Sequence, residues 1–327
     1  MRKISFCITT LNRCNLLIEA IDSILGEFDD DVEIIVVDGG STDNTPYMMN
    51  EFKVKHDNVI YIYEEGLDVH DGIIKSINAS SGEYCWLFSD DDMLAEGAKK
   101  AIINLLNKNS GIPGVTTNYS AYDNSLKKPI VTVPAIYKNR IRTNHLFTDS
   151  DQMILEFNLH LGFISAQIIN RKMLIDTYLS KLNEKECEYR EWVVVDMVLS
   201  VFHENMKWLY CSFPCVKYRS DNDSFVNSLG VLKRIELSYI SFPKMVEKLC
   251  NNKVLNELNR RLFLTRLLRT LINLKAKGVE GNIILSVIKM LSPTYKNVIK
   301  LWPILYVIIL IPSNLLSSFK KIYLKLT

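Results

Sequence analysis

A doubly wound α/β domain is the architecture this sequence predicts for its first half, and three observations predict it. Strand-like and helix-like stretches alternate about four times in the first hundred residues, the order that builds parallel sheets. The strand-like stretches are near-continuous apolar runs, such as Val32 to Val37 and Tyr84 to Phe88, as in strands covered on both faces. These runs lead into polar loops, several of them acidic, and loops of that kind share the carboxyl edge of an open sheet, where ligands bind.

Taken in order, Ile4 to Thr10 reads as a buried first strand and Leu11-Asn12-Arg13 as a polar loop. Leu16, Leu17, Ala20, Ile21, Ile24 and Leu25 then recur at the helical period. Gly26 and the acids Asp29, Asp30 and Asp31 turn the chain into the Val32–Val37 strand. It ends in Asp38-Gly39-Gly40-Ser41-Thr42-Asp43, where glycine permits close backbone approach to a ligand and Ser, Thr and Asp cap a helix. A helix through Met48, Met49 and Phe52 follows, then a strand from Val59 to Tyr63, a loop to Gly72 and a helix carrying Ile73, Ile74 and Ile77. Tyr84 to Phe88 is the next strand, and it runs into Ser89-Asp90-Asp91-Asp92. Beyond it, Leu94 to Leu106 reads as a helix, Val115 to Tyr122 as a strand, and 123–150 as a variable loop or short hairpin. Gly162 to Ile169 reads as a strand entering a helix at Arg171, and Trp208–Cys211 and Cys215–Tyr218 as two short strands joined through Pro214.

Composition narrows the class. Apolar residues make up 48% and charged residues 23%, which places the chain among folded proteins, and a net charge of +2 gives no case for nucleic-acid binding. The charge is uneven: acids gather before residue 95, while Lys253, Arg260, Arg261, Arg266, Arg269, Lys275 and Lys277 gather after 250. That asymmetry suggests a catalytic front half and a tail facing something anionic. The seven cysteines are scattered without a CxxC pair, so they read as reduced thiols with neither zinc nor disulfides. The amino terminus lacks the long apolar run of a signal peptide, and the body of the protein is expected in the cytoplasm.

The three consecutive carboxylates at 90–92 repel one another unless a cation or a donor-rich ligand neutralises them. Mg²⁺ and Mn²⁺ take carboxylate oxygens and share their remaining positions with phosphates, so the stretch reads as a metal–diphosphate anchor. Taken alone it could equally be an acidic turn capping the next helix. Asp38 with its glycines could be an ordinary turn, and Asp71 another helix cap. Three acidic loops at successive strand ends are harder to dismiss, because parallel topology gathers them at one edge. No GxGxxG follows the first strand and no GxxxxGK[ST] occurs, which speaks against a dehydrogenase and removes the P-loop enzymes.

Four blocks now carry a resemblance. Phe6-Cys7-Ile8-Thr9-Thr10-Leu11-Asn12-Arg13, Val36-Val37-Asp38-Gly39-Gly40-Ser41-Thr42-Asp43, Asp71-Gly72 with Asn78 to Tyr84, and Leu87 to Asp92 resemble, in order, the blocks of family 2 glycosyltransferases of the GT-A fold. The resemblance implies a nucleotide-sugar donor and roles for particular residues. Thr9, Asn12 and Asp38 would line the nucleoside pocket with Gly40 and Ser41, and Asp71 would lie near the ribose or diphosphate. The family's D-x-D falls on Ser89-Asp90-Asp91, which makes Asp91 the expected ligand of Mn²⁺ or Mg²⁺, with Asp90 or Asp92 contacting ribose or donor sugar. The Trp86-to-Asp92 version of the motif also resembles dideoxyhexosyl (abequosyl-type) transferases.

The family also places an inverting base, often within Glu-Asp, at the start of a helix after the acceptor strand, where it can reach the acceptor hydroxyl. No Glu-Asp occurs between Glu186 and Phe202. Asp196, in the apolar run Val193 to Leu199, is favoured over Glu191, which falls on another helical face; either could be a plain surface acid. Arg219 is a candidate to lie over the diphosphate, or simply a loop arginine.

Past residue 228 the character changes to amphipathic helices, Leu232 to Leu249 and Leu255 to Leu274. Val298 to Leu316 is largely apolar, broken by Pro303 and Pro312 and flanked by lysines, which favours a segment lying in an anionic membrane interface over one spanning it. The expected division is a transferase domain at 1–227, with a nucleotide half at 1–95 and an acceptor half at 96–227, and a helical region at 228–327 whose interface segment is about 298–316. The expected activity is inverting sugar transfer from a nucleotide diphosphate to a lipid-linked (polyprenyl-diphosphate) or polysaccharide acceptor in bacterial surface-glycan synthesis, on the inner face of the cell membrane. A nucleotidyltransferase, or a non-catalytic nucleotide-binding scaffold of the same fold, is the alternative.

Overall fold

The structure is a computed structural model that describes residues 3–28, 32–130, 143–184, 190–220, 224–276 and 281–295, together with 303, 310 and 311. In chain order the first part runs β1 (Ile4–Thr10), α1 (Cys14–Phe28), β2 (Glu33–Asp38), α2 (Thr45–Lys55), β3 (Val59–Tyr63), α3 (Val69–Ala79), β4 (Tyr84–Ser89) and β5 (Met93–Leu94). It continues through α4 (Ala98–Lys108), β6 (Gly114–Tyr122), β7 (His145–Phe147), α5 (Ser150–Phe157), β8 (Gln167–Asn170), α6 (Arg171–Thr177), α7 (Val193–Asn205) and β9 (Trp208–Arg219).

The strands form one mixed sheet in the order β3-β2-β1-β4-β8-β6-β9-β5, with β7 on β9. β3, β2, β1 and β4 are mutually parallel, in register Thr10↔Asp38 and Thr9↔Ser89, so their loops emerge side by side. β8 runs antiparallel between β4 and β6 and joins this half to the second. Every residue of β2, and all but one each of β1 and β4, is buried, which is why these strands read as unbroken apolar runs. Helix α1 lays Leu17, Ala20, Ile21, Ile24 and Phe28 inward at the helical spacing. Phe28 meets Phe6 edge-on at 5.4 Å, and Phe6 stacks on Trp86 at 5.0 Å, so an aromatic cluster fixes α1 to the centre of the sheet.

Several elements differ from expectation. Leu94 belongs to a short strand, not a helix: Met93 and Leu94 pair with Lys217 and Val216 of β9, and α4 starts only after Gly97, whose φ of 85° breaks the path. The two strands expected around Pro214 are one, β9. Pro214 faces Asn118 where the register with β6 slips, so the bulge accommodates the missing N–H. The strand expected from Gly162 begins at Gln167, and residues 158–166 form short 3₁₀ turns. Trp192 occupies the space beside Gly162, where a Cβ would come within 2.5 Å of its ring.

The chain divides into two compact units, Met1–Asp223 and Ser224–Thr327. The second is helical: α8 (Ser224–Glu236), α9 (Phe242–Glu247), α10 (Asn252–Leu262), α11 (Leu268–Ala276) and α12 (Gly281–Leu291). A backbone break at Gly230 (φ 82°) divides α8, so the helical stretch after it agrees with the pattern from Leu232, and π-type turns at 237–241 and 263–267 join α8 to α9 and α10 to α11. Apart from Pro303, Leu310 and Ile311, the expected interface segment 298–316 lies outside the described residues. Among the described residues no helix is long and apolar enough to cross a membrane.

Candidate active site

The site grows from the carboxyl ends of β1, β2 and β4. Asp38 closes β2 and is fully buried. Its Oδ1 accepts the backbone N–H groups of Gly40 (3.1 Å) and Ser41 (2.7 Å), and its Oδ2 accepts the Tyr61 hydroxyl at 2.6 Å. Burial and this carboxylate both push the Tyr61 phenol upward, so it stays a donor. Gly40 can complete the turn because its φ is 110°, and a Cβ there would press on Glu65 at 3.0 Å. Asn12, itself at φ 55°, ties the β1 and β2 loops together. Its backbone N–H donates to Ser41 Oγ (2.8 Å), and its side-chain oxygen accepts from the N–H groups of Thr42 and Asp43.

Asp90, Asp91 and Asp92, adjacent in sequence, have three different environments. Asp90 is buried, with Oδ2 accepting the Thr10 hydroxyl at 2.8 Å and Oδ1 accepting from Arg13 Nη1 at 2.8 Å. Burial raises its carboxyl to about 6, with Arg13 opposing and Asp91 reinforcing. Asp91 is the more open, its side chain 13% exposed; Oδ2 lies 3.2 Å from the same Arg13 nitrogen and Oδ1 accepts the Ser89 hydroxyl at 2.5 Å. Asp92 is 1% exposed, and both its oxygens are engaged, by the Ser165 hydroxyl (2.6 Å) and the Arg219 N–H (3.1 Å). Burial raises its carboxyl to about 8.

Two expected donor contacts therefore face inward. Asp92 is a buried tie between the acid loop, the turn at 164–166 and β9, so its place on the donor sugar is not supported by the geometry. Arg219, 4% exposed, donates through Nε to the Asp91 carbonyl (2.9 Å), through Nη2 to Glu19 (2.6 Å) and through Nη1 to the Asn124 carbonyl. Its guanidinium is consumed in holding the acid loop, and it is not held out over a diphosphate. Of the β1 threonines, Thr10 touches the acids, whereas Thr9 packs on α3, where a Cβ on Gly72 would meet its methyl at 2.8 Å.

Asp71 stands in the first turn of α3, which Asp68 caps. Arg190 Nη2 reaches both Asp68 (2.8 Å) and Asp71 (2.9 Å), and His70 Nδ1 lies 2.8 Å from Asp71. Asp68, His70 and Asp71 have ligand atoms within 4.8 Å of one another, a spacing a metal ion could use, but here Arg190 supplies the positive charge. Glu191 is exposed, in the 3₁₀ turn that ends in buried Trp192, while Asp196 is half-buried in the first turn of α7.

Sequence reasoning gave no role to Arg13, Thr10, Tyr61, Ser165 or Arg190. Arg13 and Thr10 stand inside the first block of the resemblance, so a signal for them was present. Ser165 and Arg190 act across 73 and 122 residues, and no local pattern marks them.

Comparison with known proteins follows the same lines. The model of the family described as Glycosyl transferase family 2 matches residues 5–178, more than half of the chain. The chain is 27% identical over 262 residues to the abequosyltransferase RfbV of Salmonella typhimurium, covering 74% of each protein. It is 31% identical over 112 residues to a GalNAc(5)-diNAcBac-PP-undecaprenol beta-1,3-glucosyltransferase of Campylobacter jejuni, covering 33% of this chain and 36% of that one. Among solved structures, S. aureus TarS 1-349 in complex with UDP-GlcNAc superposes with a TM-score of 0.57 at 12% identity, over 92% of this chain and 91% of that one. The mannosyltransferase PcManGT from Pyrobaculum calidifontis, in complex with GDP-Man and Mn²⁺, gives 0.54 at 12% identity over 98% and 87%. Both likenesses establish the fold.

Proposed function

The chain belongs to glycosyl transferase family 2 and is a glycosyltransferase, and on that premise we propose that its carboxyl-edge loops bind a nucleotide-diphosphate sugar together with Mn²⁺ or Mg²⁺. The sugar passes with inversion to a hydroxyl of a lipid-linked or polysaccharide acceptor in surface-glycan assembly. The likeness to RfbV and to the undecaprenol-linked glucosyltransferase supports that acceptor class. The lysine-flanked 298–316 segment supports peripheral attachment to an anionic inner membrane face.

One observation carries the reading: Asp90 and Asp91 converge on a single positive charge at the edge where parallel strands deliver ligands. A place already shaped for a cation between two carboxylates fits a hard divalent ion. Asp91, the more open of the two, would be the protein ligand, with Asp90 beside it. Bound there, the ion would stabilise negative charge on the departing nucleotide diphosphate. The chain's own residues do the rest. Asp38, buried and engaged by Gly40, Ser41 and Tyr61, fixes the β2 loop that lines the nucleoside pocket, and Asn12 ties that loop to the one after β1. Asp71 lies toward the ribose and diphosphate. Asp196, at the opening turn of α7, takes the proton from the acceptor hydroxyl, with Glu191 the alternative base.

Thermal melting with a panel of nucleoside diphosphates, with and without Mn²⁺, tests this on the protein and on Asp91→Asn. A ligand at about 100 times its dissociation constant stabilises by roughly 2.7 kcal/mol. The expected result is a Mn²⁺-dependent shift for one nucleotide that disappears in the variant. The reading fails if no nucleotide shifts the wild-type melt, or if Asp91→Asn shifts as the wild type does.

A further inference from the structure

The Arg13 guanidinium holds the position where the metal is expected. Its Nη1 lies 2.8 Å from Asp90 Oδ1 and 3.2 Å from Asp91 Oδ2, and those carboxylates are 5% and 13% exposed against 23% for Arg13. The backbone that presents it is pinned on both sides: the Asn12 N–H donates to Ser41 Oγ, and the Cys14 N–H donates to Asp43 Oδ2 at 3.0 Å. Only the side chain is left to move. The other oxygens of the pair also accept, Asp90 Oδ2 from Thr10 and Asp91 Oδ1 from Ser89, so an ion placed between the two carboxylates meets the Arg13 guanidinium. Ser89 in place of the motif's first acid leaves less negative charge to accommodate an ion and a guanidinium together. Two like charges drawn to one carboxylate pair repel strongly where water is scarce.

Resting on the metal reading above, we propose that Arg13 is a resident counter-cation of the Asp90–Asp91 pair which the divalent ion displaces, and that the released guanidinium then contacts the diphosphate of the donor. The proposal makes metal and donor partners in one exchange. Without donor, the metal has to expel a cation that gives up two carboxylate contacts for solvent alone. With donor, the guanidinium gains phosphate oxygens, a geometry arginine matches well. Each ligand therefore tightens the other, as any coupling between sites is reciprocal.

The test counts free Mn²⁺ by electron paramagnetic resonance, with and without the nucleoside diphosphate that stabilises the protein, for wild type, Arg13→Gln, Arg13→Lys and Asp91→Asn. Wild type is expected to bind Mn²⁺ weakly alone and more tightly with nucleotide, within the roughly 5- to 150-fold range usual for coupled sites. Arg13→Gln is expected to bind Mn²⁺ alone about tenfold more tightly or better, and to lose most of the nucleotide effect. Arg13→Lys keeps a positive charge on a shorter side chain without the guanidinium's fork for phosphate, so it should fall between them. It also serves if the glutamine variant does not fold. Equal or weaker nucleotide-free Mn²⁺ binding in both folded Arg13 variants overturns the exchange while leaving the metal site standing. Mn²⁺ binding that survives Asp91→Asn, or is absent from every protein with nucleotide, overturns the metal reading and the exchange with it.

Discussion

The sheet buries carboxylates at both of its edges, and the two are held in opposite ways. At the amino edge Glu33 opens β2, where the hydroxyls of Ser5 (2.7 Å) and Ser81 (3.0 Å) and the Ser81 N–H (2.8 Å) all donate to it. Ser5 in turn accepts the N–H of Gly82, so a carboxylate, two hydroxyls and two amides tie β1, β2 and the turn before β4 together. At the carboxyl edge Asp90 and Asp91 rest on the end of a long arginine side chain. Short donors fixed by the backbone tie these strands, because none of them can leave without orphaning a partner. A guanidinium on a flexible stem makes a contact that can be exchanged. Burial of an acid alone therefore does not mark a functional site.

The contrast is sharpest in variants that separate turnover from stability. At the carboxyl edge, Asp196→Asn should lower kcat by about 10²- to 10⁴-fold, the usual contribution of a general base. Its nucleotide-dependent melting shift should match the wild type, and retained turnover would pass the role to Glu191. At the amino edge the effect should invert. Glu33→Gln turns an amide N–H toward donors and should cost about 1–3 kcal/mol in denaturant unfolding, with nucleotide affinity unchanged; a large loss of affinity would erase the distinction between the edges.

Asp92 lies between the two cases: it is placed among the site acids yet tied like Glu33. Because burial raises it to about 8, the folded protein keeps a proton that the unfolded chain releases above its ordinary 3.8. Its contribution to stability is full below that value and declines as pH rises through about 8. Asp92→Asn does not titrate, so relative to wild type the variant should gain stability between pH 5 and pH 8, read from denaturant midpoints. A constant difference across that range would mean that Asp92 is charged in the fold. The smallest effect is expected in the second unit. Glu257 accepts from Arg260 and Arg261, which lower it to about 2, so its contribution persists above 4.5 and fades as pH falls toward 2. Glu257→Gln should cost less than about 1 kcal/mol at neutral pH, as exposed pairs do.

The sheet-edge arrangement could be read in the sequence because its causes are local. Apolar runs covered on both faces make β1, β2 and β4, and parallel order places Asp38 and Asp90 at the ends of the two strands that flank β1. Which acid faces outward could not be read, because that depends on partners far away in the chain. Asp92 turns inward on account of Ser165 and Arg219, 73 and 127 residues later, and Arg219 looked available until Glu19 and two carbonyls claimed it. Pro214 marked a break between two strands, yet a bulge absorbs it within one. The base region had no Glu-Asp pair to read, and the placement of Asp196 in an opening helical turn is what keeps it the leading candidate.

The reach of Arg219 also sets an order of events during synthesis. The acid loop is made early, but the N–H and guanidinium that complete it arrive with residue 219. At ribosomal rates of about 5–20 residues per second, the 127 intervening residues take about 6–25 s. Until then a nascent chain holding β1, β2 and β4 carries a carboxylate destined for the interior without one of its donors. The parallel half of the sheet can collapse in that interval, but its ligand edge matures only when β9 docks. During synthesis the active site should therefore mature after the parallel strands, and a ribosome stalled before residue 219 should display a chain with strands formed and nucleotide affinity absent.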